Sequence, residues 1–408
     1  MSQKRVAIIG GGAAGIFAAL SCAEEDPEAQ IIVFEKSRHF LTKVRISGGG
    51  RCNVTHNCFE PKELIKNYPR GSKELLGAFY AWQPEDTINW YQDRGVELKT
   101  EADGRMFPTT DDSQTIIDCL LSNIAEANIF LKPKTGINSI QQSEDKAFRL
   151  ETSQGEQFDA THVVIATGGG QTAGHTLAQS LGHTITDLAP SLFTFNIDNP
   201  LLKGLSGVSV PNARVHCPSI KQSQEGPALI THWGLSGPAI LKLSAWGARQ
   251  LAKTDYRFEV SINWIKELSL DTARSQLAKS KTNDPKKQIS THCPFELPRR
   301  LWKNLVEHSG VNFDTQWAQL SKSDLEKIAL NLTACILSVD GKSTNKEEFV
   351  TCGGVSLKEI NFKDMQSKQV QNLFFAGEAL DIDGVTGGFN FQAAWTTGRI
   401  AGLSIAHS

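Results

Sequence analysis

The strongest constraint on this chain lies between residues 5 and 35. Arg5-Val6-Ala7-Ile8-Ile9 is a short β-branched and apolar run, the pattern of a parallel strand buried on both faces. It leads directly into Gly10-Gly11-Gly12-Ala13-Ala14-Gly15, after which Ile16 to Glu24 reads as a helix. A second apolar run, Ile31 to Phe34, ends in Glu35, 20 residues beyond Gly15. Strand, glycine turn, helix, strand and acid in this order predict a βαβ unit for a dinucleotide. Gly10 permits the tight turn, Gly12 lets the backbone approach a diphosphate, and Gly15 lets helix and strand pack closely. The diphosphate then meets unpaired N–H groups at the helix N-terminus. Glu35 accepts hydrogen bonds from ribose hydroxyls and disfavours a 2′-phosphate. The motif alone does not separate FAD from NAD.

A chain of 408 residues suits two or three domains. With 40 % apolar and 21 % charged residues, it falls outside the disordered, collagen and coiled-coil classes. Its 42 basic and 44 acidic residues leave a net charge of −2, so nothing in the overall charge demands DNA or a membrane as partner. The apolar stretch Val6 to Ala23 could pass for a signal-peptide core, but Gly10, Gly11, Gly12 and Gly15 fit the dinucleotide turn better. No other stretch approaches the roughly 20 apolar residues of a membrane span. Eight cysteines form no C-x-x-C pair and no regular framework, the usage of reduced thiols. A cytoplasmic protein is expected.

Three further blocks follow. Lys43-Val-Arg-Ile-Ser-Gly48-Gly49-Gly50-Arg51-Cys52-Asn53 reads as a second glycine-rich loop, where a simple NAD domain would return to βα units. From Lys36 to Lys73 nine Lys/Arg face two Glu, a local excess of +7 suited to phosphate or an extended basic surface. Three adjacent glycines are costly to order without a ligand. His162 to Ala166 reads as a buried strand ending in Thr167-Gly168-Gly169-Gly170, with Leu131 to Ile140 and Phe148 to Thr152 forming a β-meander before it. Near the end, Leu373 to Ala376 is a buried strand ending in Gly377-Glu378, followed by Asp381-Ile-Asp383-Gly384-Val-Thr386-Gly387-Gly388-Phe-Asn390 and a helix from Ala393 to about His407. One ligand held by both ends of the chain is long, which favours FAD over NAD.

These blocks resemble the BaiN/RdsA-type FAD-dependent flavoproteins, a branch of the glutathione-reductase-like flavin fold. The matching stretches are IIGGGAAGIFAA, KVRISGGGRCNVT, VVIATGGG, THWGLSGPAILKLS, VTCGGVSLKEI and LFFAGEALDIDGVTGGFNFQAAWTTGRIAG, spread over nearly the full length. The resemblance implies an α/β fold, with a FAD-binding Rossmann domain built from both chain ends and an inserted β-barrel plus small helical domain. The implied boundaries are 1–190, 191–345 and 346–408. Gly10, Gly12, Ala14, Gly15, Glu35 and Lys36 are implied at the ADP half, with Ile137, Thr167 and Gly168 beside it. Lys43, Gly50 and Arg51 join from the second block. Gly377 and Glu378 are implied at the pyrophosphate and ribityl chain, and Gly387, Gly388 and Asn390 at the isoalloxazine. The last helix then aims its positive end at the ring. Gly170-Gln171-Thr172 departs from the commoner small-polar sequence of the family.

The insert has a different texture. Leu192–Ile197, Val208–Val215, Ala228–Thr231 and Arg257–Ile262 read as strands, and Leu268–Lys279, Pro298–Glu307 and Ser323–Leu330 as helices. The chain is expected to return through Glu348 to Ile360. Between 251 and 310 eleven Lys/Arg face seven Asp/Glu, with Trp264, Phe295 and Trp302 interleaved. Basic residues with aromatics can track single-stranded RNA by phosphate contact and stacking. Solvated lysines and core tryptophans explain the same composition.

No C-x-x-x-x-C follows the first βαβ unit, which excludes a disulfide reductase, and no His/Cys/carboxylate cluster has metal spacing. Gly168-x-Gly170-x-x-Ala173 imitates a second fingerprint, but Asp187 comes too early for its acid. A nicotinamide donor, NADH or NADPH, is therefore expected to visit rather than reside. Hydride transfer to an activated C=C bond remains, with a protein acid completing the addition. The resemblance makes a uridine of 23S ribosomal RNA, giving dihydrouridine, the leading substrate. A small conjugated substrate, or a flavin-bearing redox or binding protein without turnover, are the alternatives. Cys52 and His232 are the candidate acids, and Arg51 or Lys43 could polarise a carbonyl or bind phosphate. Cys352 reads as structural.

Overall fold

The computed structural model describes residues 3–343 and 350–408. The chain divides into two compact units, Met1–Ala189 with Lys346–Ser408, and Pro190–Asn345. The expected boundary at 345/346 and the start of the return at Glu348 lie outside the described residues.

The first unit is built on β1 (Arg5–Ile9), β2 (Gln30–Phe34), β3 (Phe130–Lys132), β4 (His162–Ile165) and β5 (Leu373–Phe375). These pair in parallel in the order β5–β4–β1–β2–β3. Two short antiparallel strands, Gln366–Ser367 and Ile360–Asn361, extend the β5 edge. Val6, Ile8, Ile31, Val33, Val163, Ile165 and Phe374 are buried, as strands covered on both faces require. The β3 strand corrects one expectation. Residues 130–132 pair with β2, and the meander begins later, as Ile137–Gln142, Phe148–Thr152 and Gln157–Ala160. Leu131 serves the parallel sheet because the turn at 133–136 separates it from Ile137.

Three helices matter for the site: α1 (Ala13–Glu25), α2 (Thr42–Gly50) and α3 (Phe389–Ala406). α1 is buried continuously from Ala14 to Ala23, the signature of a helix enclosed on all sides. Its partner is α3, from the other end of the chain. A methyl group on Gly398 would fall 2.5 Å from the Ala14 carbonyl oxygen, and one on Gly402 would fall 2.4 Å from that of Ala18. The two helices therefore pass backbone to backbone, at a separation only glycine allows.

The second unit is an antiparallel sheet. Its strands follow the order Cys335–Asp340, Arg257–Asn263, Ser209–Cys217, Gln222–Ile230, Gly234–Ser236, Thr194–Asn196 and Lys342–Ser343. The first and last strands in this order are separated only by Gly341, whose N donates to Tyr256 O (3.0 Å) and whose O accepts from Asn196 N (3.0 Å), so the order returns to the stretch of chain on which it began. Helices Leu270–Asn283, Arg299–His308 and Lys322–Thr333 stand where helices are expected. Pro238–Lys253 is an additional helix, and its Ile240, Leu243 and Leu251 join the core of this unit. Trp264, Phe295 and Trp302 are 1, 8 and 0 % exposed in that core, which removes them as stacking surfaces for RNA. Their apolar packing is the stronger force, since each indole or phenyl ring gains more from burial than from water. Among the described residues no helix is long and apolar enough to cross a membrane.

The α1–α3 crossing yields a direct test in urea denaturation. Gly402→Ala is expected to lose about 1–3 kcal/mol of stability, because its methyl group has backbone in the way. Gly77→Ala, in the helix Ser72–Ala81 with no protein atom within 4 Å of the added carbon, is expected to gain about 0.5–1 kcal/mol. Equal effects at the two positions would contradict the close crossing.

Candidate functional site

The turn from β1 into α1 closes through backbone bonds. Gly10 N donates to Phe34 O (2.8 Å) and Ile16 N to Gly12 O (3.0 Å). Gly10 has φ +114°, and a Cβ on it would fall 2.3 Å from Ala166 O, so the ends of β1 and β4 press together. A Cβ on Gly15 would fall 2.0 Å from Gly10 O. Gly12 differs: a Cβ there would meet no protein atom within 4 Å. α1 has no side-chain cap and no acid in its first turn. Its first N–H groups and the positive end of its dipole thus face space that the protein leaves open. This donor set fits the diphosphate of a dinucleotide.

The carboxylate of Glu35 is held at the end of β2. Its Oε2 accepts from Gly11 N (2.9 Å) and its Oε1 from Ser37 N (2.8 Å). Each oxygen retains a lone pair for a ribose hydroxyl. Lys36 and Ile137 are brought alongside, because Thr135 N donates to Glu35 O (2.8 Å) and a Cβ on Gly136 would sit 3.7 Å from Lys36 Cβ. Ile137 itself is buried.

The middle and closing blocks meet at the same sheet edge. Gly169 N donates to Glu378 Oε2 (3.4 Å), and Glu378, only 14 % exposed, forms an ion pair with Lys43. Thr167 and Thr172 share a hydroxyl hydrogen bond (3.1 Å), which gives Thr172 a partner within its own turn. Gly377 N donates to Thr397 Oγ1 (2.9 Å) on α3, and a Cβ on Gly377 would fall 2.8 Å from Ala14 Cβ. Ala14, Lys43, Gly168, Gly377 and Glu378 are thereby assembled from four separate stretches of sequence.

The second glycine block is part helix. Thr42 to Ile46 is helical, and the backbone then turns left-handed at Gly48 and Gly49. A Cβ on Gly49 or Gly50 would meet no protein atom within 4 Å. Beyond it, Asn53 bridges to the start of α3, donating to Thr55 O (3.1 Å) and accepting from Gly388 N (2.9 Å). Gly388 has φ +91°, and a Cβ there would fall 2.4 Å from Thr55 O. Asn390 spends its amide locally, accepting from Gly384 N (2.8 Å) and donating to Gly384 O (2.9 Å). These two bonds pin the loop before α3. Gly387 lies in that pinned loop, its added carbon blocked by the Phe389 ring at 2.7 Å.

The four candidate reacting residues stand in different surroundings. Cys52 is fully buried, which closes it off from a substrate, and burial pushes its thiol up to about 12, so it stays protonated near neutral pH. Arg51 turns away to Glu101 (2.6 Å) and Asp111 (3.4 Å), with its guanidinium 4.0 Å from the Phe107 ring centre. These ion pairs and the ring contact occupy its guanidinium. Lys43 is held by Glu378. His232 lies in the second unit, exposed on the turn between Gln222–Ile230 and Gly234–Ser236, beside Trp233, which is 69 % exposed. Cys352 is buried.

A clamp on the closing loop was missed in the sequence. Asp383 is 0 % exposed and pairs with Arg70 through both carboxylate oxygens. Around that pair Val385 N donates to Asn67 O (2.8 Å) and Tyr68 Oη donates to Phe389 O (2.6 Å). A Cβ on Gly71 would fall 2.7 Å from Ile382. The 67–71 segment thus straps the loop that leads into α3. Asp383 stood inside the motif, but Arg70 lay in a stretch with no periodic signal. Arg70→Met is expected to lower stability by about 3–5 kcal/mol, because it strands a buried carboxylate. Adding Asp383→Leu to it should recover most of that loss. Urea denaturation of the two variants checks both, and a loss under about 1 kcal/mol in the single variant would contradict the clamp.

Comparison with known proteins bears on this frame over its whole length. The family model described as HI0933-like protein Rossmann domain matches residues 4–404. The chain is 28 % identical to a ribosomal RNA dihydrouridine synthase of Escherichia coli strain K12, over 97 % of this chain and 96 % of that protein. It is 25 % identical to a 3-dehydro-bile acid delta(4,6)-reductase of Clostridium scindens, over 99 % of both. Among solved structures, a 3-ketosteroid delta1-dehydrogenase from Sterolibacterium denitrificans shares the fold with a TM-score of 0.53 at 10 % identity, covering 100 % of each chain. The match from residue 4 to residue 404, on a βαβ unit closed by the last helix, shows that the chain belongs to the HI0933-like Rossmann-domain family of flavoprotein oxidoreductases.

Proposed function

We propose that this chain is a FAD-dependent reductase of an activated C=C bond, with a uridine of 23S ribosomal RNA as the leading substrate and dihydrouridine as product. The observation that carries this reading is full-length similarity to two relatives named for such products, one for dihydrouridine in ribosomal RNA and one for reduction of a dehydro-bile acid. The open face at Gly12, the uncapped start of α1 and the carboxylates of Glu35 and Glu378 support FAD as the resident group. Once bound and reduced with two electrons from NADH or NADPH, the flavin would supply a hydride to the carbon β to the substrate carbonyl. The protein's own tasks are then to grip the cofactor from both chain ends, to hold the substrate and to deliver a proton to the neighbouring carbon.

With Cys52 enclosed and Arg51 committed to Glu101, His232 is the acid that this reading retains. The second unit is assigned to the substrate, and its exposed Trp233 indole offers a face on which an unsaturated ring can stack. NADH or NADPH is assigned as a visiting donor. A ribosomal substrate places the enzyme in the cytoplasm. A second reading, a reductase of small enones, is favoured by the bile-acid relative at equal coverage.

Stopped-flow absorbance separates the two. The bound flavin is reduced with NADPH or NADH and then mixed with unmodified 23S ribosomal RNA or with a conjugated steroid ketone. Reoxidation by RNA, with dihydrouridine found by mass spectrometry, is the expected result. Reoxidation by the ketone alone overturns the RNA assignment, and a flavin that neither acceptor reoxidises returns the chain to a redox-sensing or binding role.

A further inference from the structure

Helix Arg299–His308 buries Leu301, Trp302, Leu305 and Val306 in the core of the second unit, which leaves Arg299, Arg300, Lys303 and Glu307 exposed on its outer face. Arg299 and Lys303 are one turn apart, with Arg300 beside them, and like charges at this spacing repel. The two arginines also stand in the first turn, where the helix dipole opposes positive charge. Local helix stability therefore does not account for the cluster. A second segment adds to it. Arg300 Nη1 donates to Gly204 O (3.2 Å), and Asn304 Nδ2 donates to Leu201 O (2.8 Å) and to Lys203 O (3.0 Å). Exposed Lys203 is thereby fixed beside the three helical cations, with Glu307 the acid among them, 3.8 Å from Lys303.

The same segment reaches an aromatic ring. Ile197 N donates to Trp233 O (2.8 Å), and the stretch from Ile197 to Lys203 can span at most about 20–22 Å. The Trp233 indole is 69 % exposed on a turn closed by Thr231 N donating to Gly234 O (2.8 Å). Gly234 has φ +145°, and a Cβ there would fall 2.3 Å from Phe195 O, so the turn lies tight against the strand Thr194–Asn196. The ring is thus presented by rigid backbone, on the surface of the same unit as the cations. A small enone can use only the ring. A single nucleic-acid strand uses both, its phosphates meeting the cations while a base lies on the indole.

We propose that Lys203, Arg299, Arg300, Lys303 and Trp233 form the surface on which the second unit holds single-stranded RNA. This rests on the RNA reading above and adds to it the residues that grip the strand.

The test uses the FAD-loaded full chain and a fluorescein-labelled oligouridine, with binding read from anisotropy between about 50 and 200 mM salt. Lys203→Gln, Arg299→Gln and Lys303→Gln combined are expected to reduce the slope of log affinity against log salt by about 2, since each phosphate contact on a single strand contributes about 0.7. Trp233→Ala is expected to weaken binding about five- to a hundredfold at every salt concentration, the worth of one base stack, with the slope unchanged. Trp233→Tyr, which keeps a stacking face, should restore most of that loss. Lys253→Gln, Lys279→Gln and Lys286→Gln combined, at exposed positions of the same unit outside this surface, should leave affinity within about twofold of the wild type. An unchanged slope in the first triple variant overturns the proposal, as does an equal loss in the second, or wild-type affinity in Trp233→Ala. Each of these results leaves the RNA reading standing. A wild-type protein that binds neither oligouridine nor 23S ribosomal RNA overturns that reading and this surface with it.

Discussion

The approach of α1 to α3 is the constraint on which the nucleotide-binding unit depends. One helix begins at residue 13 and the other at residue 389, yet glycines at 398 and 402 bring their backbones into direct contact with Ala14 and Ala18. Contacts between the two ends of a chain are expensive in loop entropy. Here they are repeated at Gly377, which fits against Ala14 and bonds to Thr397 on α3. The consequence reaches the chemistry. The uncapped start of α1 and the Gly377-Glu378 turn are fixed relative to one another by packing, so the donors for a diphosphate and the acceptor for hydroxyls are in place before any ligand arrives.

The start of α3 is secured separately. Asn53 bonds to Gly388, Asn390 folds back on Gly384, and the 67–71 strap holds Asp383, Val385 and Phe389. Trp395 adds a bond to Val54 O (3.0 Å) and Gln392 accepts one from Thr55 (2.6 Å). A stretch of glycine-rich backbone would otherwise pay heavily in entropy to stay ordered. Side chains from four segments remove that freedom, which leaves the glycines free to serve close approach rather than flexibility.

The legible part of the fold was the part written in periodicity and glycine spacing. β1, α1, β2 and Glu35 could be read because each glycine in that turn answers to a separate steric demand. The strands β4 and β5 stood out as short apolar runs ending in glycine. What escaped was set by partners distant in sequence. Arg70 acquires its meaning from Asp383, at the other end of the chain. Composition left the placement of two features open. Trp264, Phe295 and Trp302 are interleaved with lysines in sequence but turn inward together, and Arg51, the most tempting cation of the glycine block, is claimed by Glu101. Charge and aromatic counts cannot distinguish a surface from a core, because they carry no direction.

The account stands or falls on the space beside Gly12, where the protein itself places nothing and a diphosphate is expected. Backbone angles of −87° and −170° there suit any residue, so Gly12→Val should leave the fold intact. The decisive measurement is the FAD content of wild-type and Gly12→Val protein, released by heat and compared with the urea midpoint of each apoprotein, since bound FAD would itself raise the midpoint. The account predicts about one FAD per chain in the wild type, and its near-complete loss in the variant at an unchanged midpoint. Full FAD retention by the variant, or a wild-type chain that carries none, would contradict it.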